Sequence, residues 1–229
     1  MNTRRVIPLA LGLSAFLALT SIAGVASARF TGANAAKKSL RTAPLPRPSG
    51  RLHIYAENLR EEVDVNIYNA DGSYNQESLA ALDQLWRDFR KKEVRAVDPH
   101  LYEMLSIVFD HFGQKKILLG SGFRVEQNTS RHYHASAVDF RIDGVGYRTV
   151  YAYVQTLDMG GMGMGQYPTS QFVHMDYRAP GEPSFRWTDT AGPSRHDSGK
   201  KSRPKKSDAV AKQPKSTEPK IARSKKPNS

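Results

Sequence analysis

Cysteine is absent from the 229-residue chain. That excludes disulfides, thiolate metal sites, cysteine nucleophiles and a lipidated N-terminal cysteine. No internal repeat is visible, and the single long apolar run, Val6 to Val25, lies near the N-terminus. Acidic side chains are outnumbered, 22 against 34 basic, for a net charge of +12. Such an excess invites a nucleic-acid reading until the charge is located.

The charge sits at the two ends. Residues 195–229 hold twelve Lys or Arg against Asp197, Asp208 and Glu218, and Arg4 and Arg5 add two more. Between Arg29 and Ser194 the balance is twenty basic to nineteen acidic. The folded part is therefore nearly neutral. The terminal segment lacks any aromatic residue to stack on bases, which excludes sequence-specific nucleic-acid binding through it and leaves salt-sensitive contact with polyanions. Its Lys, Ser and Pro cannot bury enough apolar surface to offset ordering entropy, so 191–229 is expected to be a disordered basic tail.

At the other end, Arg4-Arg5, the apolar run and Ala26-Ser27-Ala28 have the form of a signal peptide over residues 1–28, with cleavage leaving Arg29 first. The alternative is an uncleaved anchor, since the run approaches the ~20 residues a spanning helix needs. Thr3-Arg4-Arg5-Val6-Ile7 loosely resembles a twin-arginine signal. The expected destination is the periplasm or the exterior, with membrane contact only during export. Residues 29–50 read as a flexible leader, and 51–190 as the folded domain.

Within that domain, Leu52–Tyr55 and Val63–Ile67 alternate with period two and form a hairpin. Leu79, Leu82, Leu85, Trp86 and Phe89 recur at helical spacing, predicting a helix from Glu77 to Arg90. Asp98-Pro99 opens a second helix that Gly113 ends. Lys116–Leu119 and Ala137–Ile142 read as strands, 147–157 as a helix, Gly160–Gly165 as a loop and Phe172–Tyr177 as a final strand. Helices mixed with short strands, without βαβ repeats, give an α+β fold: a small mixed or antiparallel sheet with flanking helices.

Of seven histidines, His53, His100, His111 and His196 lie on a strand face, a helix or the tail and read as structural. His132, His134 and His174 stand apart, in polar or glycine-bearing blocks beside short apolar strands: Ser121-Gly122-Phe123-Arg124, His132 to Asp139, and Phe172 to Asp176. A zinc ion needs imidazole and carboxylate donors converging on one point, with a position left for water. A turn brings His132 and Asp139 together, whereas an extended strand puts His132 and His134 on one face. Spacing thus permits two triads, His132/Asp139/His174 or His132/His134/His174.

These blocks resemble the zinc D-Ala-D-Ala carboxypeptidase and murein endopeptidase group, particularly its small exported bacterial branch. The branch pattern Ser-Gly-Tyr-Arg, His-x-x-Gly-x-Ala-x-Asp, Gly-Val-Gly-Tyr-Tyr-Pro and Gly-Phe-Val-His-x-Asp becomes Ser121 to Arg124, His132 to Asp139, Gly163 to Pro168 and Gln171 to Asp176. The resemblance spans Leu52 to Trp187 and implies the fold of that group. It implies Zn2+ held by His132, Asp139 and His174, with His134 a neighbour. Arg124 matches the arginine that neutralises substrate carboxylate or oxyanion, and Asp176 is placed to orient a ligand or handle protons. The chain departs from the pattern in a shorter loop before His132, in Ala135 where the family has glycine, and in Gln171 where family carboxypeptidases carry an acidic base. Asp176 or His134 then stands in as catalytic group. The implied activity is metallopeptidase cleavage of peptidoglycan peptide stems; the alternative is a wall-binding protein that keeps the fold without cleavage.

Overall fold

The computed structural model describes residues 30–126, 128–178 and 181–191. The expected signal peptide, the basic tail from residue 192 onward and His196 lie outside the described residues.

An eight-stranded mixed sheet forms the frame. Its strands are β1 (Phe30–Asn34), β2 (Arg51–Ala56), β3 (Glu61–Asn66), β4 (Ile117–Ser121), β5 (Ala137–Ile142), β6 (Met162–Tyr167), β7 (Phe172–Tyr177) and β8 (Phe185–Asp189). They lie in the order β1-β8-β6-β7-β5-β4-β2-β3. β2 with β4 and β6 with β8 run parallel, and the other neighbours are antiparallel. Three helices accompany the sheet: α1 (Gln76–Trp86), α2 (Pro99–His111) and α3 (Tyr147–Gln155). The class is α+β.

Period-two alternation divides the sheet into two unlike faces. Leu52 and Ile54 of β2, Val138, Phe140 and Ile142 of β5, Met162 and Met164 of β6, and Val173 and Met175 of β7 point one way, into a core shared with the helices. α2 adds Leu101, Met104, Leu105 and Val108, and α3 adds Val150 and Val154. Each fully buried Leu, Ile or Phe in this layer contributes about 1.5–3 kcal/mol. The intervening residues, among them Asp139, Arg141, His174 and Asp176, occupy the opposite face.

The helix starts follow local chemistry. The Asn75 side chain accepts from Ser78 N–H at 2.9 Å to cap α1. The Asp98 carboxylate accepts from His100 N–H at 3.0 Å to cap α2, with Pro99 at its first position. α1 ends at Trp86 rather than Arg90. Asp88 competes for the backbone there: Oδ1 accepts from the N–H groups of Arg90 and Lys91, both at 2.8 Å, and Oδ2 from Val125 N–H at 2.9 Å.

The other differences concern strands. Gly160–Gly165, expected as a loop, largely enters β6, and Phe172–Tyr177 is followed by one more strand, β8. The expected flexible leader instead begins with β1, paired antiparallel to β8 from Phe30↔Asp189 to Asn34↔Phe185. Beyond it, Arg41 N–H donates to the Asp158 carbonyl at 2.6 Å, and Arg186 Nη2 donates to the Ser39 carbonyl at 3.3 Å. Gly32 makes this docking sterically feasible, because a Cβ there would stand 2.7 Å from the Phe185 ring.

Candidate metal centre

The centre is built where β5 and β7 pair on the open face. Register sets Asp139 directly opposite His174 and Ala137 opposite Asp176. His132 arrives from the turn that precedes β5. Ala135 closes that turn at φ 51, the left-handed region where the family pattern carries glycine. Arg95 braces the same turn: its guanidinium lies over the Phe123 and Tyr133 rings, 4.7 Å from each centroid, and Nη1 donates to the Tyr133 carbonyl.

His132, Asp139 and His174 each offer one donor atom within 4.8 Å of the others, and all three residues are buried. His132 Nδ1 lies 2.6 Å from the Gly122 carbonyl. A carbonyl only accepts, so Nδ1 carries the proton and Nε2 presents its lone pair. Burial first, and Arg124 nearby, push this imidazole down to about 4, which keeps it neutral. Nε2 is buried without a hydrogen-bond partner and faces Asp139 Oδ2 at 3.3 Å. A lone pair set against a carboxylate oxygen is the arrangement a shared cation resolves. Two imidazoles and a carboxylate, with no thiolate, suit Zn2+.

His174 is held between two carboxylates. Nδ1 lies 2.8 Å from Asp139 Oδ1, and Nε2 lies 3.2 Å from Asp176 Oδ2. Burial alone would lower this group; its bonds to Asp139 and Asp176 win and hold it up at about 9. Burial works to raise Asp139, and the imidazoles and Arg124 overcome it, holding the carboxyl well below the usual range. Arg124 Nη2 sits 3.2 Å from Asp139 Oδ2. Asp176 is likewise held low against burial, by His174 and by Arg178, whose Nε donates at 2.8 Å.

The glycines of β6 now have a reason. A Cβ on Gly163 would lie 1.9 Å from Asp176 Oδ2, and one on Gly165 would lie 2.3 Å from the Trp187 indole. Trp187 stands 4.9 Å from the His174 ring, centroid to centroid, and its Nε1 donates to Tyr167 Oη at 3.1 Å.

The structure thus gathers His132, Asp139, His174, Asp176 and Arg124. It leaves out His134, which is exposed, meets Tyr133 edge-on and has Arg131 and Arg95 as its charged neighbours. The extended segment that would have aligned His132 with His134 is a turn. Gln171 is exposed at the β6–β7 turn with φ 54. Sequence reasoning missed Arg178 and Trp187. The spacing 174, 176, 178 places Arg178 beside Asp176, and the Gly-x-Gly of β6 signals a bulky neighbour.

Two buried imidazoles and a buried carboxylate beside an arginine make a donor set that could hold a metal ion, of the kind metal-dependent hydrolases use. The family follows from comparison. The family model described as Peptidoglycan L,D-endopeptidase MepK matches residues 46–180. Peptidoglycan L,D-endopeptidase MepK of Escherichia coli K12 is 31% identical over 150 residues, covering 58% of this chain and 80% of the relative. The protein of that name from Shigella flexneri gives the same figures. A probable MepK of Haemophilus influenzae is 33% identical over 113 residues, covering 43% of this chain and 60% of the relative. The chain belongs to this family. No solved structure matches it significantly. Among the described residues, no helix is long and apolar enough to cross a membrane.

Proposed function

We propose that the chain is an exported zinc metallopeptidase that hydrolyses peptide bonds in peptidoglycan, as its relatives' names state for them. The observation that carries this reading is the orphaned His132 Nε2 facing Asp139, with His174 completing the donor set. Export to the periplasm or exterior is supported by the signal-like residues 1–28. The basic segment from residue 195 adds salt-sensitive polyanion contact.

Bound zinc supplies a Lewis acid and a water of pKa roughly 7. The protein's own residues prepare that chemistry. Gly122 fixes the His132 tautomer by accepting its Nδ1–H. Asp176 accepts from His174 Nε2–H, aiming Nδ1 at the centre, and Arg178 pins Asp176 in turn. Asp176 is thereby a positioning residue: a buried carboxylate already paired with an arginine is a poor proton acceptor. Arg124 keeps one donor on Asp139 and has others for a carbonyl oxygen gaining negative charge.

Gln171 favours a second reading, a wall-binding protein without cleavage, because a glutamine takes no proton. Incubating the whole chain with purified sacculi, with and without chelator, separates the two. New muropeptides that vanish with chelator and return with zinc support the peptidase. Retention on sacculi with bound zinc and no new muropeptides supports the binder, and a folded chain that takes up no zinc removes both.

A further inference from the structure

Two residues beyond Asp139 along β5, about 7 Å further on and on the same open face, Arg141 points into the groove beside the metal centre. Its Nη2 donates to both carboxylate oxygens of Glu57, from the turn after β2. Its Nη1 reaches the Ser170 carbonyl at 3.4 Å. The two side chains stay 36% and 32% exposed. Arg141 shares the border of a cavity of about 110 Å3 with Leu118, Gly120, Ser121, Asp139 and Phe172.

Arg141 borders this cavity beside the candidate metal ligand Asp139, and Glu57 brings a partly exposed carboxylate to the same guanidinium. A simple carboxylate entering it would be repelled by Glu57, and a simple amine by Arg141. A group carrying both charges on one carbon satisfies both partners. We propose that Arg141 and Glu57 form a specificity subsite for a zwitterionic amino-acid centre of the substrate, its carboxylate on Arg141 and its ammonium on Glu57. The inference rests on the reading of the site as a peptidoglycan peptidase. Its position places the recognised centre within one or two residues of the scissile bond.

The test uses the zinc-loaded whole chain and a synthetic cross-linked stem peptide whose diamino-acid side chain ends in a free ammonium and carboxylate. The same peptide is also made amidated at that carboxylate, or acetylated at that nitrogen. Blocking either charge should raise wild-type KM by about tenfold or more, with kcat little changed. Arg141→Gln should abolish discrimination against the amidated peptide, and Glu57→Gln discrimination against the acetylated one. Arg141→Lys should restore part of the first, and circular dichroism checks that each variant folds. Equal losses on free and blocked peptides, no wild-type discrimination, or an effect of Arg141→Gln alone would overturn the zwitterion subsite. If the wild type cleaves nothing, the peptidase reading fails separately. Calorimetric binding of the uncross-linked free-ended stem peptide then decides: weakening in both variants supports the subsite, and unchanged binding overturns it.

Discussion

The two faces of the sheet are made by the same strands and obey different rules. On the helix side, aliphatic and methionine side chains fill a layer whose requirement is volume. On the open side, one residue further along each strand, charged groups fix one another's protonation and glycines leave space for particular atoms. Tolerance to substitution should therefore alternate along β5, β6 and β7. The lesson is that a single strand can carry a forgiving stripe and an exacting one.

The sharpest way to break this contrast is at the centre. His132→Ala should drop zinc content from about one equivalent per chain to background, with the fold retained by circular dichroism; full zinc in that variant would remove His132 from the ligand set. Asp176→Asn should weaken zinc binding by about 10–100-fold. Gly163→Ala drives a Cβ toward Asp176 Oδ2 and should destabilise by about 1–3 kcal/mol, read as a lower melting temperature. Met164→Leu, one residue along but facing the helices, should cost less than about 1.5 kcal/mol and leave zinc uptake unchanged. Equal effects at 163 and 164 would erase the distinction between the faces.

A pH series sharpens the same contrast. Zinc must displace the proton that His174 Nδ1 holds against Asp139, and this group is held up at about 9. Below that pH the proton competes, so affinity should rise about tenfold per pH unit toward 9 and then level off. His132, neutral above about 4, adds nothing in this range. Asp176→Asn removes one of the carboxylates that hold His174 up, so levelling should begin at lower pH. Competition with a chromophoric chelator measures both curves, and an affinity flat between pH 6 and 9 would contradict the Asp139–His174 geometry.

The helix-facing stripe was legible in the sequence because period and volume are local signals. Leu101 to Val108, capped by Asp98 and Pro99, form the helix their spacing predicts. The end of α1 was not legible, because Asp88 turns the chain by binding amides as far away as Val125. β6 was hidden by its own glycines, which ordinarily mark loops and here accommodate Asp176 and Trp187. In the centre, the sequence narrowed the ligands to two triads. The choice came from strand register, which sets Asp139 against His174, and from a turn that sends His134 outward. Ala135 holds a conformation glycine prefers while Arg95, distant in sequence, braces its turn. No local pattern announces that support.

β1 and β8 give the molecule a schedule as well as an edge. Phe30 pairs with Asp189, so a strand near the start of the described chain waits for one near its end. β8 also brings Trp187, the indole beside His174 and under Gly165. The wall of the candidate metal centre thus comes from the last of the described strands to be made. A hydrolase with this strand order cannot close its site until β8 has been made.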